Sequence, residues 1–358
     1  MRPSSLPHAR LSSQGLTVPR FSTARQVVSW FGAVQAQDFA AAKWALGQRM
    51  RQATDRAVED AFAAGSILRT HVLRPTWHFV APADIRWMLA LTAPRVNAAM
   101  ASYYRKFALD ETVFRRSHRA LADALEARGP LTRDELRTAV ERAGVPAAGL
   151  RFIFMLLRAE LDALICSGPR VGGRFTYALL DTRAPTGRMM TRDAALAELA
   201  RRYVRSHGPA TLQDFTWWSG LRRADANAGL DMARRSLVRD VIDGRTYWRS
   251  ASMPAATASR GSVHLLAPFD EYLVAYADRS AAFDAGCRAQ GRSAQFGWTI
   301  VHHGRIVGRW TRTPGPQTAT VALHPFTALG RTATQATLAA ARRYGRFLET
   351  PVVVDGGY

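Results

Sequence analysis

Two segments of this chain, about 80 residues apart, carry the same turn between helical stretches, and this repeat limits the possible folds most strongly. The turns are Arg128 to Thr132 (RGPLT) and His207 to Thr211 (HGPAT). In each copy, apolar residues at helical spacing precede the turn, two helical stretches follow it, and two short β-like stretches come last. Three helices followed by a β-hairpin is the order of elements in a winged helix.

Each of the two copies is predicted to contain three helices followed by two strands. In the first, a helix from about Arg116 is followed by a helix from Thr132, a helix at Ala147–Asp162 and strands at Ala163–Ser167 and Phe175–Leu180, joined by the glycine-rich tip Gly168–Arg174. In the second, helices from about Asp193, at Thr211–Trp218 and at Arg222–Arg235 precede a hairpin of Leu237–Ile242 and Arg245–Trp248. The Asp243-Gly244 pair between those strands is typical of a tight hairpin turn.

A third, more degenerate copy precedes both. We expect helices at Thr23–Val34, Phe39–Gln48 and Asp55–Ala64, strands at Ile67–Leu73 and Thr76–Val80, and a linking helix from Pro82.

The pattern changes after Ser250–Ser262, which has the composition of a linker. Strands are predicted at Val263–Leu266, Phe296–His302, Arg305–Trp310, Thr318–Leu323 and Pro351–Val354, with a helix at Thr332–Tyr344. The sequence therefore predicts a helix-rich α+β fold: three tandem winged-helix units at 1–100, 101–185 and 186–250, then a small α+β domain with a β-hairpin at 251–358.

The charge balance indicates a polyanionic partner. The 358 residues include 49 basic and 28 acidic side chains, giving a formal net charge of +21. Lys43 and Lys106 are the only lysines, and a GC-rich genome would explain arginine in place of lysine. It would not explain the excess of basic over acidic residues, which favours nucleic-acid binding.

Several other classes of protein are disfavoured. Cys166 and Cys287 are far apart, so no zinc ribbon or iron–sulfur motif is present. The sequence contains no phosphate-binding loop, zinc-protease, nucleophile-elbow or dinucleotide-binding motif. The first ten residues lack the apolar core of a signal peptide, and charged residues interrupt the apolar stretch Leu150–Cys166. We expect a cytoplasmic, nucleoid-associated protein that is monomeric and needs neither metal nor cofactor.

The most informative local feature is Val34–Asp38, at the junction of the first two predicted helices. Gln35 and Gln37 flank the small residue Ala36, so both amides could converge on one point. Alternatively, Gln37 and Asp38 cap the following helix.

Over nearly its whole length the sequence resembles the AlkZ-like (YcaQ-like) winged-helix DNA glycosylases. The motifs that carry this resemblance are Ala33–Asp38 (AVQAQD), Lys43–Gly47 (KWALG), Leu68–Thr70, Thr76–Val80 (TWHFV), the Gly173-Arg174 wing, Phe269–Tyr272 (FDEY) and Asp278-Arg279.

The resemblance implies three winged helices around a concave DNA-binding face. It also implies excision of N-alkylated purines from double-stranded DNA, including the unhooking of interstrand crosslinks made by alkylating toxins. The family's catalytic motif, in which an aliphatic residue separates a Gln from a Gln or Asp, maps onto Gln35 and Gln37. Asp38 could add electrostatic stabilisation, although helix capping is the expected role.

Further residues are expected to support catalysis or to bind DNA. The resemblance places Thr76 and His78 near the site, but Pro75 stands where a glycine is expected, which changes the turn. Alternatively, His78 is half-buried at a domain interface. The predicted DNA contacts are Arg69 and Arg74 around the first hairpin, Arg170 and Arg174 at the second, and His303, Arg305, Arg309 and Arg312 around the C-terminal hairpin. A solvated basic turn is the alternative for that last group.

Two doublets are open to more than one interpretation. Asp270 and Glu271 suggest a metal or acid–base site, but no third ligand has suitable spacing, so we expect them to pair with arginines. Trp217 and Trp218 end an amphipathic helix and are expected in the core rather than stacked on bases. For the whole chain, the main alternative to a glycosylase is a non-catalytic winged-helix DNA-binding protein or transcriptional regulator.

If several arginines contact phosphates, duplex binding will weaken steeply with salt, because each contact releases condensed counterions. Fluorescence anisotropy on a labelled duplex over a series of salt concentrations measures this directly. A nearly flat dependence would contradict the assignment of the excess arginine to DNA binding.

Overall fold

A computed structural model describes residues 5–185, 189–252, 262–313, 315 and 317–356. Its helix-rich mixture of helices and antiparallel sheets confirms the predicted α+β class. The chain divides into two compact units: the first comprises 1–59, 196–218 and 222–358, and the second 60–195 and 219–221. The four domain ranges given above, and the count of three winged helices, stay predictions.

The elements are numbered along the chain. Residues 5–59 form α1 (Leu6–Ser13), α2 (Ala24–Phe31), β1 (Ala33–Gln35) and α3 (Phe39–Gly47), and lead into α4 (Asp55–Ala63). Residues 60–195 form β2 (Leu68–His71), β3 (Trp77–Val80), α5 (Pro82–Lys106), α6 (Glu111–Arg128), β4 (Leu131–Thr132), α7 (Arg133–Arg142), α8 (Leu150–Leu161), β5 (Ile165–Ser167), β6 (Thr176–Leu179) and α9 (Leu180–Arg183), and lead into α10 (Arg192–His207).

The remaining elements belong to the C-terminal part of the chain. They are α11 (Leu212–Ser219), α12 (Arg223–Ala233), β7 (Leu237–Ile242), β8 (Arg245–Ser250), β9 (Val263–Leu266), α13 (Glu271–Val274), α14 (Arg288–Ala294), β10 (Thr299–His302), β11 (Arg305–Thr313), β12 (Ala319–Pro325), α15 (Arg331–Leu348) and β13 (Val352–Asp355). Most of the predicted linker Ser250–Ser262 lies outside the described residues.

The two clear repeats share their local chemistry as well as their order of elements. Thr132 caps α7 and exchanges hydrogen bonds with Glu135, while Thr211 does the same at α11 with Asp214. Such reciprocal caps satisfy amide groups that a helix start otherwise leaves unpaired. In both copies the residue that follows Gly-Pro also pairs with the second strand of the hairpin. In both copies, the turn therefore joins the start of the second helix to the hairpin in the same way.

Glycine moves two of the predicted helix boundaries. The helix predicted at Thr23–Val34 ends at Phe31, because Gly32 adopts a φ of 87° and the chain continues as β1. The helix predicted from Ala147 begins at Leu150, after Gly149 with a φ of 57°. Positive φ is readily accessible to glycine and interrupts a right-handed helix.

The C-terminal sheet and α3 share one core within the first unit. The sheet has the order β13-β12-β11-β10-β9 and is antiparallel except for the parallel pair β12 and β13. Tyr344 of α15 lies between the rings of Trp44 and Trp310, with centroid distances of 5.0 and 5.1 Å. The indole of Trp44 also donates to the Leu265 carbonyl over 2.7 Å. This packing fixes the helix that follows the Val34–Asp38 segment.

Gly47, the last residue of α3, has no room for a side chain, because a Cβ there would lie 2.6 Å from the ring of Phe347. We expect Gly47→Ala to lower the free energy of unfolding by about 1–3 kcal/mol, through overpacking against this ring. Urea denaturation of the intact chain measures the change. The matched control is Gly297→Ala, whose new Cβ would meet its nearest atom at an ordinary 3.5 Å. Equal stability of the two variants would contradict the close packing.

Candidate functional site

The Val34–Asp38 segment joins the end of β1 to the start of α3. Gln35 is 9% exposed and Ala36 is fully buried, whereas Gln37 is exposed. The carboxylate of Asp38 accepts a hydrogen bond from the Ala41 amide over 3.0 Å and so caps α3. The predicted capping role of Asp38 is therefore confirmed. The two glutamines occupy a short segment that is held at its helical end.

Phe269–Tyr272 provides two adjacent buried carboxylates. Asp270 makes a bidentate ion pair with Arg49, with distances of 2.8 and 2.9 Å, and both side chains are buried. Asp270 also caps α13 by accepting from the Tyr272 amide. The predicted arginine pairing is confirmed for Asp270. Because Arg49 follows α3 closely, this pair ties the end of α3 to α13.

Glu271 has partners of a different kind. Its Oε1 accepts from the Gln35 backbone amide over 2.7 Å, and its Oε2 accepts from Trp218 Nε1 over 3.0 Å and lies 3.1 Å from His207 Nε2. Burial lowers the pKa of His207, against the opposing effect of the Glu271 carboxylate. The Nδ1 of His207 lies 2.8 Å from the Ser206 hydroxyl oxygen, which itself donates to the Arg202 carbonyl over 2.7 Å. Sequence spacing alone did not indicate this connection to Gln35.

Tyr272 connects the same segment to the C-terminal hairpin. Its hydroxyl donates to the Gly304 carbonyl over 2.6 Å, at the turn between β10 and β11. His303 and Gly304 both adopt positive φ, at 50° and 76°, as in the tight turns that join antiparallel strands. The predicted hairpin around these two residues is confirmed. Phe269–Tyr272 thus contacts α3, the glutamine segment and the hairpin turn.

The Lys43–Gly47 motif has a structural explanation. Lys43 is buried on α3, and its ammonium group lies 2.7 Å from a carboxylate oxygen of Asp55 and 2.8 Å from one of Glu59. Trp44 and Gly47 pack as described above. These contacts fix α3, and through it the position of Asp38.

Thr76 and His78 lie in the second unit, at the start of β3. His78 is fully buried, and its Nδ1 lies 2.8 Å from the Thr76 carbonyl oxygen. The Thr76 hydroxyl oxygen is also buried, with no hydrogen-bond partner among the described residues. Their supporting role in catalysis stays a prediction.

The residues predicted to bind DNA around β2 and β3 differ in exposure. Arg69 is 7% exposed, and its guanidinium lies over Trp77 at 4.2 Å and Phe175 at 5.0 Å. Arg74 is half-buried. The packing of Arg69 suits a structural role in the free protein, and a phosphate contact by it would require the side chain to move.

A second polar contact in the second unit joins the side chains of His71 and the buried Glu160. Burial raises the pKa of the Glu160 carboxyl, and the His71 ring against it opposes that rise. His71 in turn contacts the ring of Trp77. Polar groups thus hold the first hairpin to α8.

The second hairpin exposes the arginine at its tip. Arg174 is exposed between β5 and β6. Arg170 folds back instead, and donates to the Gly173 carbonyl over 2.6 Å. Their roles in DNA binding stay predictions.

The C-terminal hairpin distributes its basic residues over two environments. Arg305 donates to the Phe283 carbonyl over 2.9 Å, and Arg312 to the Tyr344 hydroxyl over 2.8 Å, so both are half-buried. Arg309 is exposed and donates to the Ser293 hydroxyl oxygen over 2.7 Å. His303, at the turn, is half-buried and lies against His302.

The tryptophan doublet divides between core and surface. Trp218 is fully buried beside Tyr203, as expected, but Trp217 is 46% exposed and Arg279 lies over its ring. The core assignment is therefore wrong for Trp217, because successive residues of a helix point in different directions.

Within the described residues, no group of three or more His, Cys, Asp or Glu side chains is arranged to hold a metal ion. The helices there are also too short or too polar to cross a membrane.

Comparison with known proteins identifies the family. Residues 28–347 match the family model described as "DNA glycosylase AlkZ-like". The chain belongs to the AlkZ-like DNA glycosylase family. It is therefore assigned to the hydrolases that act on N-glycosyl bonds, as the motifs predicted.

A curated protein and a solved structure, both from Streptomyces sahachiroi, are similar to this chain. An "Interstrand DNA cross-link repair glycosylase" is 25% identical over 323 residues, which cover 84% of this chain and 85% of the relative. The solved structure of "DNA glycosylase AlkZ" has a TM-score of 0.79 at 24% identity and covers 99% of both chains, so it shows the same fold.

Exposure predicts different outcomes for two arginines of one strand. Arg309→Ala should weaken duplex binding and reduce the slope of log affinity against log salt by about 0.9, the contribution of one phosphate contact. Arg312→Ala should instead lower the stability, because it removes the bond to Tyr344, and should leave the slope unchanged. Anisotropy titrations measure duplex binding by both variants, and urea denaturation measures their stability. Unchanged binding by Arg309→Ala would remove this strand face from the predicted interface.

Proposed function

We propose that this protein is a monofunctional DNA glycosylase that releases N-alkylated bases of the N7-alkylguanine type and unhooks interstrand crosslinks, in repair or in self-resistance to an alkylating toxin. The observation that carries the proposal is the fixed Gln35–Gln37 segment, in a chain that belongs to this glycosylase family. The relative named for crosslink repair supports the choice of substrate.

The proposed reaction is hydrolysis at C1′ of the damaged nucleotide. Alkylation at N7 places a positive charge on guanine, so the base leaves with the electron pair of the N9–C1′ bond as a neutral molecule. Water adds to the sugar carbon, and its proton passes to solvent. A cationic leaving group needs little help from an acid, and the barrier falls when water is oriented on the sugar face.

Gln35 and Gln37 suit the orienting role. A carboxamide oxygen accepts a hydrogen bond from water without being a strong base. Such a site should act on labile cationic lesions and leave undamaged bases in place. DNA is the substrate at the level of the family, whereas the lesion, the monomeric state and independence from metal are part of the proposal.

The double variant Gln35→Ala, Gln37→Ala should abolish base release. The wild type is incubated with a duplex containing N7-methylguanine and with one containing a nitrogen-mustard crosslink, and alkali-labile abasic sites are measured on a gel. We expect such sites with the wild type and none with the double variant. Both proteins should bind the duplex equally, since neutral glutamines contribute little to phosphate binding.

The matched control is Asp38→Ser, which keeps a capping oxygen for α3 and removes the carboxylate. Its activity should stay near the wild-type level if Asp38 only caps the helix. Duplex binding without base release by the wild type, across several lesions, would favour the non-catalytic DNA-binding protein instead.

A further inference from the structure

The carboxylate of Glu271 joins the Gln35–Gln37 segment to the interior of the first unit. It is 1% exposed and lies within hydrogen-bonding distance of three N–H groups, from the Gln35 backbone, the Trp218 indole and the His207 ring. Of these contacts, the one to the Gln35 amide is the shortest, at 2.7 Å.

Burying this carboxylate is unfavourable unless its environment compensates for the lost water. The neighbouring Asp270 has the guanidinium of Arg49 for that purpose. Of the donors to Glu271 named here, the Gln35 amide and the Trp218 indole carry no charge, and burial disfavours the cationic form of His207 by lowering its pKa. An apolar residue would fill this place in a core without such a penalty.

We propose that Glu271 is a positioning residue for base excision, and that it sets the place of the reactive glutamines through the Gln35 backbone amide. This inference rests on the function proposed above. Gln35 is the last residue of β1, and only two residues separate it from Asp38, the cap of α3. Glu271 therefore holds one end of the segment, and the Asp38 cap holds the other.

The carboxylate itself is badly placed to act on substrate. Both of its oxygens are engaged by the donors described above, and the side chain is buried. Its influence on the reaction must therefore pass through the backbone that it holds. A displacement of about 1 Å in a positioning group can reduce a reaction rate by roughly 100-fold.

Two conservative variants distinguish positioning from a need for negative charge. Glu271→Gln keeps an oxygen that can accept from the Gln35 amide, while its NH2 group faces Trp218 Nε1 and His207 Nε2. We therefore expect a lower stability but, in the folded protein, a single-turnover rate near that of the wild type. Glu271→Asp keeps the charge but withdraws the oxygens by one methylene, so its rate should fall by about 10- to 100-fold, with duplex affinity unchanged. The reverse order, with Glu271→Asp active and Glu271→Gln inactive, would overturn the proposal in favour of a role for the charge.

The matched control is Trp218→Phe, which removes one donor to Oε2 and leaves the Gln35 contact in place. It reports what loss of a buried hydrogen bond in this network does on its own, and its rate should stay near the wild-type level. If all three variants react at the wild-type rate once folded, Glu271 has only a structural role and the proposal fails.

Hydrogen–deuterium exchange supplies a readout that does not depend on activity. The peptide that contains residues 33–38 should lose protection in Glu271→Asp and keep it in Glu271→Gln and Trp218→Phe. Unchanged protection in Glu271→Asp would overturn the proposal even if its activity fell. If the wild type releases no base from any lesion, the proposed function fails, while the exchange experiment still decides whether Glu271 holds this segment.

Discussion

Asp270 and Glu271 are adjacent carboxylates buried in the first unit, where each needs hydrogen bonds from the protein. One of the donors is the backbone of the Gln35–Gln37 segment, the candidate site. Asp270 pairs with Arg49, which lies just beyond α3. Glu271 accepts a hydrogen bond from the Gln35 amide and contacts His207 at the end of α10. The next residue, Tyr272, reaches the hairpin turn at Gly304. Unsatisfied buried charges are costly, so the contacts of Asp270 and Glu271 favour the observed packing of this segment.

Much of the fold could be predicted because its signals are local. The Gly-Pro turns, the Asp-Gly and His-Gly hairpins and the helical spacing of apolar residues act within a few positions of the chain. The errors were local as well: Gly32 ends α2 early, and Trp217 and Trp218 point in different directions despite being neighbours. The short helices α13 and α14 were not predicted, since so few residues show no clear period.

The candidate site was less predictable than the fold. Family resemblance indicated Gln35 and Gln37, but their spacing alone was equally compatible with a capping turn. The link to Glu271 joins residues 236 positions apart, so no local pattern could reveal it. Arginines illustrate the same limit, because sequence alone does not separate the exposed Arg309 from the packed Arg69.

The environment of Glu271 also bears on why neutral glutamines suffice in the proposed reaction. A strong general base near the sugar would activate water toward many nucleotides, damaged or not. The buried carboxylate that contacts Gln35 has both oxygens engaged, so it is unsuited to that role. The amides can orient water but hardly deprotonate it, and the reaction must then depend on how readily the base departs. In the proposed reaction, selectivity for cationic lesions follows from this weakness, while the excess arginine is predicted to bind any duplex.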